Sequence, residues 1–393
     1  MRIALLAWES LHSIAIGGVA AHVTELASAL YRLGHEVHVF VRLGAWQELY
    51  QVIQGVHYHR CPIDLHPDFV TEMNNMCNKF AYFLGETEAY QGAAFDVVHG
   101  HDWLCSKAVV QIKNDRGRKT VFTLHSTEYG RCGNINHLSG QSDRIRAFEA
   151  EGAYCADRVI TVSEALANEV KWLYSVPDWK LRVVHNGIDC TRFDGVIDPG
   201  VYRTRYGIGP LDPMVLYVGR MSAQKGPDML LEAVPGILAY RGDAKVMFVG
   251  DGDMKPNLEH RASHLGVRHA VRFLGALPAD GELTNLFKST DVVCVPSRNE
   301  PFGMVVLEAW AAGKPVVATE NGGPRYFISH NIDGLVVYPN PQSISWGINT
   351  IFSDFEHARW MGERGRVKAA YGFSWDVLAK QTEGIYRELV ACG

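Results

Sequence analysis

Pro296-Ser-Arg-Asn-Glu-Pro-Phe-Gly-Met-Val-Val-Leu-Glu-Ala-Trp310 decides how this chain is read. The residues just before it, Asp291-Val-Val-Cys-Val295, form a short apolar run with the pattern of a buried strand. Val305 to Ala312 has the pattern of a helix. Glu300 then falls on the loop at the strand's carboxyl end, and Glu308 about one turn into the helix. The N–H groups of Gly303, Met304 and Val305 fall at the helix N-terminus. There the backbone leaves donors unpaired and the dipole favours an anion. Carboxylates able to hold sugar hydroxyls thus sit beside donors able to hold phosphate.

Working outward, short apolar runs alternate with amphipathic stretches. Ile3–Ala7, Val37–Val41, Val97–His99, Thr120–Leu124 and Arg158–Val162 read as strands of a first half. Val19–Leu33 reads as a helix stopped by Gly34. The rhythm restarts after the Pro/Gly-rich stretch from Asp194 to Pro213. Val215–Val218, Lys245–Val249, Val271–Leu274, Val292–Val295 and Val316–Ala318 are its strands, with a helix at Pro227–Leu238. A repeated βαβ rhythm predicts parallel, doubly wound sheets. The expected fold class is α/β, with two such domains facing each other across a cleft, over 1–195 and 196–372. A final amphipathic helix, with Ser374 as its N-cap, occupies 373–393.

The bulk composition agrees. A chain of 393 residues suits two domains, and 47% hydrophobic with 21% charged residues is globular. A net charge of −5 without a long Lys/Arg run argues against nucleic acid as partner. The eight cysteines, at 61, 77, 105, 132, 155, 190, 294 and 392, are never closer than 16 residues. They predict reduced, mostly buried thiols in a cytoplasmic protein rather than a zinc or redox pair. The N-terminal apolar run ends at Glu9, too short for a signal peptide, and no run is long enough to span a membrane. Residues 41–95 carry Arg42, Arg60 and Lys79 against six acidic residues, which disfavours electrostatic docking on anionic membranes.

The E-x7-E spacing of Glu300 and Glu308, with Gly303 inside it, resembles the motif of retaining glycosyltransferases of the GT-B fold, family 4 type. Glu300-Pro-Phe-Gly-Met resembles the glycogen and starch synthase version. The resemblance implies that Glu300 holds the sugar and Glu308 the ribose, and that the last helix crosses back onto the first domain. Gly219-Arg220 ends one strand, and Lys225-Gly226 opens the next helix. A diphosphate needs such cations, and G-R-x-x-x-x-K-G resembles the family's diphosphate clamp. Gly17 and Gly18 precede the first helix and permit close backbone approach to a donor. The synthases usually carry a lysine there, whereas this chain has Ile16. Gly100-His-Asp-Trp103 resembles an H-D-W segment, which puts His101 and Asp102 on the acceptor side. Asp102 is equally placed to cap a helix starting near Trp103. His125 matches the histidine that lies beside the transferred sugar. Phe273 and Leu274 match the backbone that meets the base.

His99, His101 and Asp102 hint at a metal, but no further ligand cluster is visible, and the resemblance implies a metal-free reaction. The expectation is therefore hexosyl transfer, with ADP- or UDP-glucose as donor and a glucan or small sugar as acceptor, and no cofactor or metal. Two alternatives stand beside it: a transferase making a small disaccharide or glycolipid, and a non-enzymatic nucleotide-sugar sensor. Oligomeric state is not readable.

Overall fold

A computed structural model describes residues 1–135, 140–278 and 281–391; Cys392 and Gly393 lie outside them. The chain forms two compact units. Unit one is Met1–Gly187 joined by the segment from Trp375, and unit two is Ile188–Ser374. No helix among the described residues is long and apolar enough to cross a membrane. The seven described cysteines are free, four of them buried.

Unit one holds an eight-stranded sheet. Its strands are β1 (Arg2–Leu6), β2 (Glu36–Arg42), β3 (Tyr50–Ile53), β4 (Val56–Cys61), β5 (Val97–His101), β6 (Lys119–Leu124), β7 (Arg158–Thr161) and β8 (Leu181–Val183). Their order is β3-β4-β2-β1-β5-β6-β7-β8. All neighbours are parallel except β3, which runs antiparallel to β4. The runs picked from sequence are the buried parallel strands. β3, β4 and β8 go beyond that reading, because none of them is a continuous apolar run. In β4, His57 and His59 alternate with Val56 and Tyr58 and are carried by ring stacking. His57 lies 4.4 Å from the ring of His38, and His59 lies 4.5 Å from that of Phe40.

β1 is the pivot. It pairs with β2 on one side and β5 on the other, so the winding of the sheet reverses there. Open α/β sheets bind ligands at the carboxyl ends of strands at such a reversal. The helix Gly18–Arg32 follows β1, and the helix Trp375–Ala391 packs beside it. Leu378, Ile385, Tyr386 and Leu389 join Ile3, Leu5, Val23 and Leu30 in one core. Burial of each such side chain contributes about 1.5–3 kcal/mol.

Unit two holds six parallel strands: β9 (Met214–Val218), β10 (Lys245–Val249), β11 (Val271–Gly275), β12 (Val292–Val295), β13 (Val316–Thr319) and β14 (Leu335–Val337). Their order is β11-β10-β9-β12-β13-β14, so the reversal falls between β9 and β12. β9 shares five paired positions with β10 but only two with β12. The two strands part early, which opens a crevice at their carboxyl ends.

Candidate functional site

In unit two, the β9 and β12 loops converge on that crevice. Lys225 lies on a short 3-10 turn, Ala223–Lys225, and Glu300 on the loop after β12. The Lys225 ammonium donates to both oxygens of Glu300, each at 2.8 Å. Ser297 Oγ donates to Glu300 Oε2 at 2.9 Å. Glu300 is 6% exposed. Its backbone is pinned as well: its N–H donates to Asn321 O at 3.1 Å, and Gly323 N–H donates to its carbonyl at 2.8 Å. That pinning requires glycine. Gly322 has φ of +117°, and a Cβ there would meet the Glu300 carbonyl at 2.0 Å.

The helix Met304–Ala311 begins three residues after Pro301, with Gly303 at its N-cap and φ of +103°. The first-turn N–H groups of Gly303, Met304 and Val305 therefore open a few residues from the paired Glu300. Glu308 lies further along the same helix, partly buried. Burial raises its carboxyl to about 7, against the pull of Arg192. Near neutral pH it is divided between acid and carboxylate, so it can donate as well as accept a hydrogen bond. Arg220 differs from Lys225. It is exposed, and its guanidinium has no partner among the described residues, while its carbonyl accepts from Tyr217 Oη at 2.8 Å. Phe273 stacks on Phe248 with ring centroids 5.0 Å apart. The β10–β11 register shifts so that Val249 pairs with Gly275. Leu274 is skipped, and its backbone falls outside the ladder.

In unit one, the carboxyl ends of β1, β5 and β6 gather histidines. His101 ends β5, and its Nδ1 lies 3.1 Å from His125 Nε2. His125 N–H donates to Asp102 Oδ1 at 2.8 Å. Asp102 is buried, with φ of +60° and ψ of 170°, a backbone state that costs on the order of 1–3 kcal/mol. Its side chain does not cap the helical turn Trp103–Cys105, which settles one of the two roles left open from sequence. Its carboxylate faces the backbone of the His125 loop instead, so it positions that loop. His99 is a satisfied core residue, 2.6 Å from both Tyr386 Oη and Thr123 Oγ1.

Three side chains at these sites escaped the sequence reading. His22, one turn into the helix after Gly17-Gly18, lies 4.5 Å ring to ring from His125. Its Nδ1 is 2.8 Å from Asn186 Oδ1. The buried Glu9 carboxylate accepts from the N–H groups of Ile16 and Gly17, each at 2.7 Å. The donor expected at Gly17 is thus already bound to an anion of the chain itself, while Gly18 opens the helix. The expectation that no ligand cluster exists is also revised, because His22, His101 and His125 form one. A histidine at position 22 is one helical turn past the glycine pair, and that spacing is the signal that could have found it.

Known proteins resemble this chain in sequence and fold. The model described as "Glycosyltransferase Family 4" matches residues 16–192, and "Glycosyl transferases group 1" matches 202–368. A glycosyltransferase of Methanocaldococcus jannaschii is 38% identical over 98% of both chains. The D-inositol 3-phosphate glycosyltransferase of Corynebacterium urealyticum is 30% identical, over 95% of this chain and 91% of its own. The glycogen synthase of Mycobacterium tuberculosis is 28% identical, over 98% and 94%. Among solved structures, sucrose-phosphate synthase from Thermosynechococcus elongatus superposes with TM-score 0.82 at 24% identity, covering 100% of both chains. Anabaena HepE in complex with UDP-glucose gives 0.79 at 20%, covering 99% of this chain and all of its own. These structures share the fold of two Rossmann-like units, and the chain belongs to the family 4 type glycosyltransferases of the GT-B fold.

Proposed function

We propose that this enzyme moves a hexosyl unit, glucosyl in first place, from a nucleoside-diphosphate sugar to a sugar hydroxyl with retention at the anomeric carbon. The observation that carries the reading is the Lys225–Glu300 pair at the β9/β12 reversal, a few residues from the helix N-terminus at Gly303. One side offers cationic and N–H donors for a diphosphate, and the other offers a carboxylate for hydroxyls. As the glycosidic bond breaks, negative charge grows on the leaving diphosphate. Arg220, Lys225 and the N–H groups of Gly303, Met304 and Val305 would stabilise it. Glu300 would hold the sugar, and Glu308 the ribose. The Leu274 backbone would meet the base, and His125 would sit beside the anomeric end. The cations compensate the phosphates without a resident metal or cofactor. The donor phosphate would take the acceptor's proton.

ADP- and UDP-glucose are the donors to try first. For the acceptor, a glucan is supported by the glycogen synthase relative. A small or lipid-borne sugar is the second reading, supported by the relative named for inositol 3-phosphate. The proposed location is the cytoplasm. A thermal-shift panel of nucleotide sugars tests the donor, because the ligand that binds the folded state best raises the midpoint most. Product analysis with glucan, small-sugar and lipid acceptors then separates the two readings. A flat panel, with no nucleotide released in any acceptor mixture, would overturn the proposal and favour a protein that no longer transfers sugar.

A further inference from the structure

Three imidazoles from distant parts of the chain meet in unit one. His22 comes from the helix after β1, His101 from the end of β5, and His125 from the loop after β6. One nitrogen of each lies within 4.8 Å of the others. A neutral imidazole can ligate through one nitrogen when the other is held by a hydrogen bond. His22 meets that condition, since Nδ1–H donates to Asn186 Oδ1 at 2.8 Å and leaves Nε2 with its lone pair. His101 Nε2 is buried with no hydrogen-bond partner, a costly condition for a polar atom. His101 Nδ1 and His125 Nε2 lie 3.1 Å apart as a hydrogen-bonded pair in which either ring can be the donor. The neighbours are otherwise engaged: both nitrogens of His99 are bonded, and Asp102 is spent on the His125 loop.

We infer that His22, His101 and His125 form a binding site for one divalent transition-metal ion, zinc in first place, with a fourth position open. The donor set selects the ion. Magnesium and calcium require oxygen ligands, whereas imidazole suits zinc, cobalt, nickel and copper. Zinc–nitrogen bonds of about 2.0–2.1 Å in a tetrahedron place ligand nitrogens about 3.4 Å apart. The three rings must therefore draw together by at most about 1.5 Å. Three imidazoles with one vacant position match the open class of zinc site rather than the closed structural class. The site lies within unit one. The cluster takes in His125, proposed to stand beside the anomeric end, and His101, expected on the acceptor side, so the proposed transfer runs with the ion absent and a bound ion would occupy those side chains.

The test uses the full chain carrying His260→Gln and His264→Gln. That exposed pair, with Nε2 atoms 3.2 Å apart, would bind metal by itself. Metal-stripped protein is titrated with cobalt(II) chloride, followed in the visible spectrum, and with zinc chloride by calorimetry. One equivalent should bind, with the strong bands of tetrahedral cobalt, and zinc should displace it. His22→Gln and His101→Gln should each weaken binding at least tenfold. His38→Gln, in the β2–β4 histidine stack, should leave it unchanged. Circular dichroism checks each fold. Where a variant fails to fold, X-ray absorption of the zinc-loaded parent decides: three imidazoles support the site, and fewer overturn it. No binding to the parent, or unchanged binding in a folded His22→Gln variant, overturns it as well.

Discussion

The two units solve the same architectural problem with opposite electrostatics. At the sheet reversal of unit one the polar groups are mostly uncharged rings. At that of unit two they are an ion pair, a free arginine and a helix N-terminus. Nine histidines of unit one, at 12, 22, 35, 38, 57, 59, 99, 101 and 125, are held below the usual histidine range, with burial the first cause each time. Glu308 of unit two is instead raised by burial, to about 7. Burial favours the neutral form in both cases. The proton is therefore absent from the histidines of one unit and retained on the carboxyl of the other. Neutral rings gather at the reversal of unit one, whereas the cations Arg220 and Lys225 of unit two suit a polyanionic ligand.

The sharpest way to break this comparison is to remove the charges of unit two. Arg220→Ala and Lys225→Ala should each lower the transfer rate by about 10² to 10³, the scale of losing one charge partner in the transition state. Only Lys225→Ala should also lower the melting temperature, because it leaves the buried Glu300 unpaired. Steady-state kinetics with thermal melts would show this. Near wild-type turnover in either variant removes that residue from the clamp.

The two carboxylates sharpen the same contrast. Glu300→Gln should slow the chemical step while free nucleoside diphosphate still binds. Glu308→Gln should weaken nucleotide binding by about 1–3 kcal/mol. Calorimetric titration of both variants decides between this assignment and its reverse.

Acidification should separate the units. A buried histidine stays neutral when folded but takes a proton when unfolded below about pH 6.5. Each therefore withdraws stability from unit one as pH falls below that value, at up to about 1.4 kcal/mol per pH unit. The loss continues down to the folded values, about 4 for His38 and about 3 for His59 and His125. Glu308 has the opposite sign. It contributes fully below the unfolded carboxyl value and loses that contribution as pH rises through about 7. Hydrogen exchange at pH 7.5 and pH 5 should show peptides of unit one opening first at the lower pH. Equal opening in both units would erase the contrast. The smallest effect expected is none: exhaustive chelation with EDTA should leave transfer intact. A total loss restored by magnesium or manganese would mean the cations of unit two do not suffice for the phosphates.

Much of this was legible in the residues. Buried parallel strands such as Val292–Val295 announce themselves as apolar runs, and the E-x7-E spacing points to the crevice where Glu300 meets Lys225. Other parts were not legible. β4 hides because its histidines are stabilised by stacking on β2, a cross-strand effect with no local signature. The Lys225–Glu300 bond joins residues 75 positions apart. Asn186 reaches His22 across 164. Glu9 reads as the acidic end of an apolar run, and only the turn of the loop brings it onto the Gly17 N–H.

Tyr386 closes over His99 at 2.6 Å, yet a ribosome delivers it only after the whole of unit two. Between Gly187 and Trp375 the whole of unit two must emerge, which takes about 10–40 s at ordinary elongation rates. Throughout that interval unit one lacks the helix that covers Ile3, Leu5 and Leu30. Unit two is continuous in the chain, and its two ends already meet where Ile188 N–H donates to the Phe373 carbonyl at 2.8 Å. The order of maturation is thereby inverted: the half synthesised second can finish first. The half synthesised first waits with an apolar face exposed, which is the window in which a nascent chain needs a chaperone.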